Sequence, residues 1–159
     1  MNVFRTEIWR SYYDSRSYRS GLRVRYENGI DPEVRRAIRE CVNWLRQEYD
    51  FPKRVNVYVK AGRRIKSQLG DYVCGTFFRP ADRDVEPYIR ISTGDYLELL
   101  EKRGKDNALA AILSTLIHEL VHYFQWLNDL DLTLIGEERQ ATNYTRQIMY
   151  DYAQTRDHP

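Results

Sequence analysis

His118, Glu119 and His122 fall within five residues, in the run His118-Glu119-Leu120-Val121-His122. On a helix a spacing of four turns through about 400°, so the two imidazoles stand one turn apart on one face, about 6 Å along the axis. Two imidazoles so placed can grip one divalent ion, and with a carboxylate and an open position the set suits zinc. Glu119 lies about 100° round the helix from His118. That puts it beside the metal rather than on it, where a carboxylate can take a proton from the attacking water and pass it to a leaving amine. The pattern predicts a zinc-dependent metallopeptidase with His118 and His122 as ligands and Glu119 as general base.

A catalytic zinc usually keeps three protein ligands and one open position. The only other histidine, His158, is penultimate in the sequence, and Gln125 interrupts an extended HExxHxxG pattern. Cys74 stands alone, and a thiolate beside two histidines would be unusual in a peptidase. Glu137 and Glu138 are better candidates. Against the inward stripe of Ala141, Thr145, Ile148 and Tyr152 both lie about 50° off, on opposite sides, so periodicity leaves the choice open. Two other classes compete with the enzyme. A structural site closed by four ligands would draw on Cys74 or Asp129. A catalytically inactive binding protein on the same scaffold would hold a protein or nucleic-acid partner and have no use for Glu119.

The motif sits in Asn107 to Leu127, NALAAILSTLIHELVHYFQWL, which is apolar on nearly every face and predicts a helix buried in the middle of a domain. His118, Glu119, His122 and Gln125 argue against a membrane span. Upstream, Asp31 and Pro32 read as an N-cap and first helical position. Val34, Ile38, Cys41, Leu45 and Tyr49 then draw one apolar stripe, ended by Pro52. Arg54 to Lys60 alternates as a strand with one buried face, and Leu22 to Tyr26 is a possible short strand. Tyr72 to Phe78 and Pro87 to Ser92 read as an antiparallel pair, with a bulge at Gly75. A short helix is expected from about Asp95 to Lys102, and a final one from about Glu137 to Ala153. These elements make an α+β domain in which a small, mainly antiparallel sheet packs on the motif helix and the helix after it.

The order of helix, strands, TLIHELVHYF and then GEERQATNYTRQI resembles the small gluzincin-type zinc peptidases, including the ImmA/IrrE family, over about residues 70 to 153. The resemblance is specific at HExxH and loose elsewhere. It implies a zincin-like fold, hydrolysis of peptide bonds in protein substrates, and a third zinc ligand from an E-x-x-A-N segment on the following helix. Glu138, Gln140 and Ala141 match that segment; Thr142 stands where the family has asparagine, and Asn143 is shifted by one. On this resemblance Glu138 is preferred to Glu137. SprT-like proteases are a weaker match, because their site calls for a third histidine. A peptidase also needs a donor to the tetrahedral oxyanion. Tyr144 is the first candidate, with Arg146 and Tyr123 behind it. An extended substrate could add to the sheet along Cys74, Gly75 and Thr76.

Residues 1 to 66 hold 16 Lys and Arg against 8 Asp and Glu, while residues 67 to 159 hold 9 against 15. In the first 26 residues Arg5, Arg10, Arg16, Arg19, Arg23 and Arg25 alternate with Trp9, Tyr12, Tyr13, Tyr18 and Tyr26. Such a segment could grip nucleic acid. The preferred reading is an arm, residues 1 to 20, whose aromatics pack on a single domain, residues 21 to 159, and whose arginines pair with the acidic half. Neither a secretory signal nor a membrane anchor is readable, so a cytoplasmic protein is expected, with Cys41 and Cys74 as reduced, buried thiols.

Overall fold

The computed structural model describes residues 2–13 and 18–159, so Arg16 of the arm lies outside the described residues. A four-stranded sheet runs in the order β1 (Leu22–Tyr26), β2 (Val55–Lys60), β6 (Tyr88–Ser92), β5 (Gly75–Phe78), and a two-stranded ribbon joins β3 (Ile65–Lys66) to β4 (Tyr72–Val73). The helices are α1 (Pro32–Glu48), α2 (Tyr96–Arg103), α3 (Lys105–Leu127) and α4 (Leu134–Ala153). The α+β class holds, but the sheet is mixed rather than mainly antiparallel. β1 pairs with β2 and β2 with β6 in parallel, and only β5 runs antiparallel to β6. The cause is the connections. A helix-long return through α1, and the excursion through residues 61–87, each carry the chain back to the end at which the preceding strand began, so the next strand runs parallel to it. Within the four-stranded sheet only the connection between β5 and β6 is a hairpin-like reversal.

α1 starts where its cap residues place it: the Asp31 carboxylate accepts from the Glu33 N–H, and Pro32 occupies the first turn. Its buried side is Val34, Ala37, Ile38, Cys41, Val42 and Leu45. Val55, Val57 and Val59 of β2 and Ile89 and Ile91 of β6 bury the same sheet face, and α3 fills the middle of the core with Leu109, Leu113, Leu116, Ile117 and Leu120. Truncating any of these α3 leucines to alanine would cost about 2–5 kcal/mol. α3 is therefore a rigid central rod, which is what a pair of ligands one turn apart requires.

The N-terminal segment closes the far end of that rod. Val3, Phe4, Trp9 and Tyr13 belong to the core, and the Asn128 side chain accepts from the Trp9 N–H while donating to the Phe124 carbonyl. Arg83 stacks on Tyr12 and donates to the last carbonyls of α3, those of Trp126 and Leu127. Cations and donors at a helix C-terminus satisfy its unpaired carbonyls and its dipole. Of the arm's arginines, Arg19 reaches Glu86 in the acidic half, whereas Arg5 pairs with Glu48 and Arg10 with Glu7.

The run expected as one strand over Tyr72 to Phe78 is broken at Cys74: β4 goes to the ribbon and β5 to the main sheet. This corrects the expectation for Cys74, which is exposed, while Cys41 is buried. Burial pushes the Cys41 thiol up to about 12, leaving almost no thiolate near neutrality. In the native protein a disulfide reagent such as DTNB should therefore label one thiol, Cys74, with Cys41 reacting only after denaturation. Mass spectrometry of labelled peptides reads the result, and fast native labelling of Cys41 would contradict this packing.

Candidate metal centre

His118 and His122 project from α3 towards α4, with ring centroids 5.0 Å apart. Glu138, in the second turn of α4, meets them both. One carboxylate oxygen lies 3.2 Å from His118 Nε2 and the other 3.0 Å from His122 Nε2. Candidate ligand atoms of these three residues lie within 4.8 Å of one another, the one such group of His, Cys, Asp or Glu among the described residues. Glu137 points elsewhere: it is buried and takes a 2.8 Å hydrogen bond from Arg79. The alternative fourth ligands do not join the cluster. Asp129 pairs with Arg83, and Cys74, although it lines the neighbouring cleft, is outside the group.

Whether these residues suit a cation can be argued from Gln125. Its amide Nε2 donates to the Glu137 carbonyl and to Gln140 Oε1, each at 3.0 Å. A backbone carbonyl can only accept, so the amide is fixed with Oε1 towards His122 Nδ1, 2.8 Å away. His122 must then donate from Nδ1. In its neutral form Nε2 carries a lone pair, and that lone pair faces a carboxylate oxygen at hydrogen-bond distance. Burial, then His122, lower the His118 pKa, against the opposing pull of Glu138, so His118 favours the neutral, ligating form. Two imidazole lone pairs and a carboxylate converging on one point fit a divalent cation that takes nitrogen and oxygen donors, zinc above all.

Gln125 is buried, three residues after His122 on the same helix face, and it fixes the orientation of the His122 ring, as outer partners of metal-binding histidines do. Replacing it with alanine should weaken zinc binding by about 10–100-fold. Competition with a chromophoric chelator measures this; unchanged affinity would mean that Gln125 serves packing alone.

Beside the cluster opens a cleft of about 420 Å³ lined by Cys74 and Gly75 from β5 and the turn before it, Ser114, Thr115, His118 and Glu119 from α3, and Thr142, Thr145 and Arg146 from α4. Glu119 is buried, and burial followed by the nearby Glu138 charge pushes its carboxyl up to about 8. A carboxyl with so raised a pKa is suited to moving protons near neutrality. Gly75 owes its place to close approach rather than to a bulge. A Cβ there would come within 2.8 Å of Thr115 Cγ2 and 3.1 Å of Glu119 Cγ.

The Ser92 N–H bonds the Cys74 carbonyl, and the β5–β6 register pairs Gly75 with Ile91. Backbone groups alternate in an antiparallel pair, so those of Gly75 and Phe77 face the free edge of β5. Thr76 instead faces β6, opposite Arg90. The expected oxyanion donors are placed less favourably. Tyr144 packs half-buried against the core and is not in the cleft lining, and Tyr123 is fully buried, donating to the Lys53 carbonyl. Arg146 alone of the three lines the cleft.

No protein family, curated protein or solved structure matches the chain. No helix among the described residues is long and apolar enough to cross a membrane.

Proposed function

We propose that this chain is a zinc-dependent metallopeptidase of the zincin kind, resembling the gluzincin-type enzymes, in which His118, His122 and Glu138 hold the metal. The observation that carries this reading is the meeting of both Nε2 atoms with one Glu138 carboxylate at the mouth of a cleft that also contains the buried Glu119. Bound zinc would polarise a peptide carbonyl and acidify water. Glu119, one residue from a ligand and beside the cluster, takes the proton of the attacking water and delivers it to the leaving amine. The free edge of β5 offers the Gly75 and Phe77 N–H and C=O groups to an extended peptide, and the missing side chain at Gly75 keeps that approach clear of Thr115 and Glu119.

The test is zinc content by elemental analysis together with cleavage of a fluorescence-quenched peptide library. One tightly held zinc per chain and cleavage abolished by a chelator and restored by zinc are expected. A chain that binds zinc but cleaves nothing favours a binding protein. One that melts on metal removal without ever having been active favours a structural site.

A further inference from the structure

From the metal cluster the cleft runs between α3 and α4 towards Ser114 and Arg146. The helices pass in opposite directions there: His118 faces Glu138, while Ser114 and Thr115, one turn earlier on α3, share the cleft with Thr142, Thr145 and Arg146, one to two turns later on α4. The lining beyond Glu119 is almost entirely hydroxyl-bearing, and it carries one formal charge, that of Arg146. Arg146 makes no side-chain hydrogen bond or ion pair among the described residues, unlike Arg79 on the other side of the site, which is held by Glu137. Glu138 is two turns away on the same helix and is engaged by the histidines. The Thr145 hydroxyl is buried with no hydrogen-bond partner. An exposed guanidinium without a partner among the described residues, on an otherwise uncharged stretch of the cleft wall, is free to take an acceptor from a bound ligand.

Helical side chains lean towards the N-terminus of their helix, which brings the Arg146 head back towards Thr142 and the metal cluster. The eight residues from Glu138 to Arg146 rise about 12 Å along the helix, and the long Arg146 side chain lines the same cleft as His118 and Glu119. Resting on the peptidase reading, we infer that the cleft selects substrates carrying a carboxylate next to the scissile bond, bound by Arg146 with the Thr142 hydroxyl. That carboxylate can be an acidic side chain or the free C-terminus of a peptide. Guanidinium pairs with it in a two-bond fork that an amide cannot reproduce.

The experiment uses zinc-loaded Glu119→Gln protein and binding of fluorescent peptides, so that it does not depend on turnover. Amidated Ala-Ala-Phe-X-Ala-Ala peptides with X as Glu, Gln or Lys test the side-chain source. Ala-Ala-Phe-Ala with a free or an amidated end tests the terminal source. At least one carboxylate peptide should bind about tenfold or more tightly than its amide partner. Arg146→Ala should erase the difference, and Arg146→Glu should turn the preference towards Lys. Equal binding of acid and amide peptides, or a preference that survives Arg146→Ala, overturns the inference. Wild-type cleavage without acid preference removes this inference and leaves the peptidase reading standing. No cleavage by the wild type and no peptide bound by the Glu119→Gln protein removes both.

Discussion

Glu119→Gln protein should keep its zinc and lose peptide cleavage by about 10²–10⁴-fold, the usual contribution of one positioned acid–base group. The geometry separates the two properties, because Glu119 lines the cleft without belonging to the ligand group. Glutamine preserves size and shape and removes the ability to take up and release a proton. Zinc content and turnover measured on the same preparation decide the matter, and loss of zinc together with activity would make Glu119 a ligand instead of a base.

The same substitution has a consequence for the metal-free chain. The folded pKa of Glu119, about 8, lies above its ordinary 4.5. The stabilisation from its neutral form is complete below about pH 4.5 and is lost as pH rises through about 8. Glutamine never ionises, so metal-free Glu119→Gln protein should withstand urea better than metal-free wild type at pH 9. The gap should close towards pH 4.5. A constant gap across that range would mean that Glu119 is not buried as a neutral acid.

Glu138→Ala should cost zinc affinity by at least about 100-fold, the upper end of what loss of a mere ligand-orienting partner does, while leaving the fold nearly as stable as before. Its side chain is 63% exposed, and exposed ion pairs contribute about 0–1 kcal/mol. Glu137→Ala should behave in the opposite way. Its carboxylate is buried against Arg79, so removal should cost about 1–3 kcal/mol of stability, with zinc retained. Its backbone carbonyl, which orients Gln125, survives the substitution. Parallel metal analysis and thermal melts give the comparison. Zinc lost in Glu137→Ala but kept in Glu138→Ala would reverse the assignment.

The pairing of His118 with His122 and the helix that carries them were legible because both are local. His118 and His122 are placed by the turn of one helix, and the apolar run around them announces burial without any partner being known. Choosing Glu138 over Glu137 required the path of residues 128–133, which sets how α4 meets α3 and has no periodic signal. α4 also begins at Leu134, not near Glu137, because the Thr133 side chain accepts from the Gly136 N–H, a cap concealed in a stretch that reads as loop. Strand direction was illegible for a related reason. Alternation marks which face of β2 is buried, but it is the same read in either direction, and only the connections fix polarity. Gln125 could have been found from its place three residues beyond His122. The Arg79–Glu137 pair could not, since 58 residues separate its members.

The two free edges of the sheet are unlike. β1 is short, carries the exposed Arg23 and Arg25, and has its outward Leu22 carbonyl covered by Arg46. Charge and coverage of this sort keep strands of separate molecules from zipping together. β5, at the opposite edge, reads Gly-Thr-Phe-Phe without a charge. By the same logic it is the place where copies of the chain would adhere in concentrated solution. Thr76→Lys should therefore improve colloidal behaviour, and on the proposed function a sticky edge beside the cleft would be the solubility cost of a strand-shaped berth.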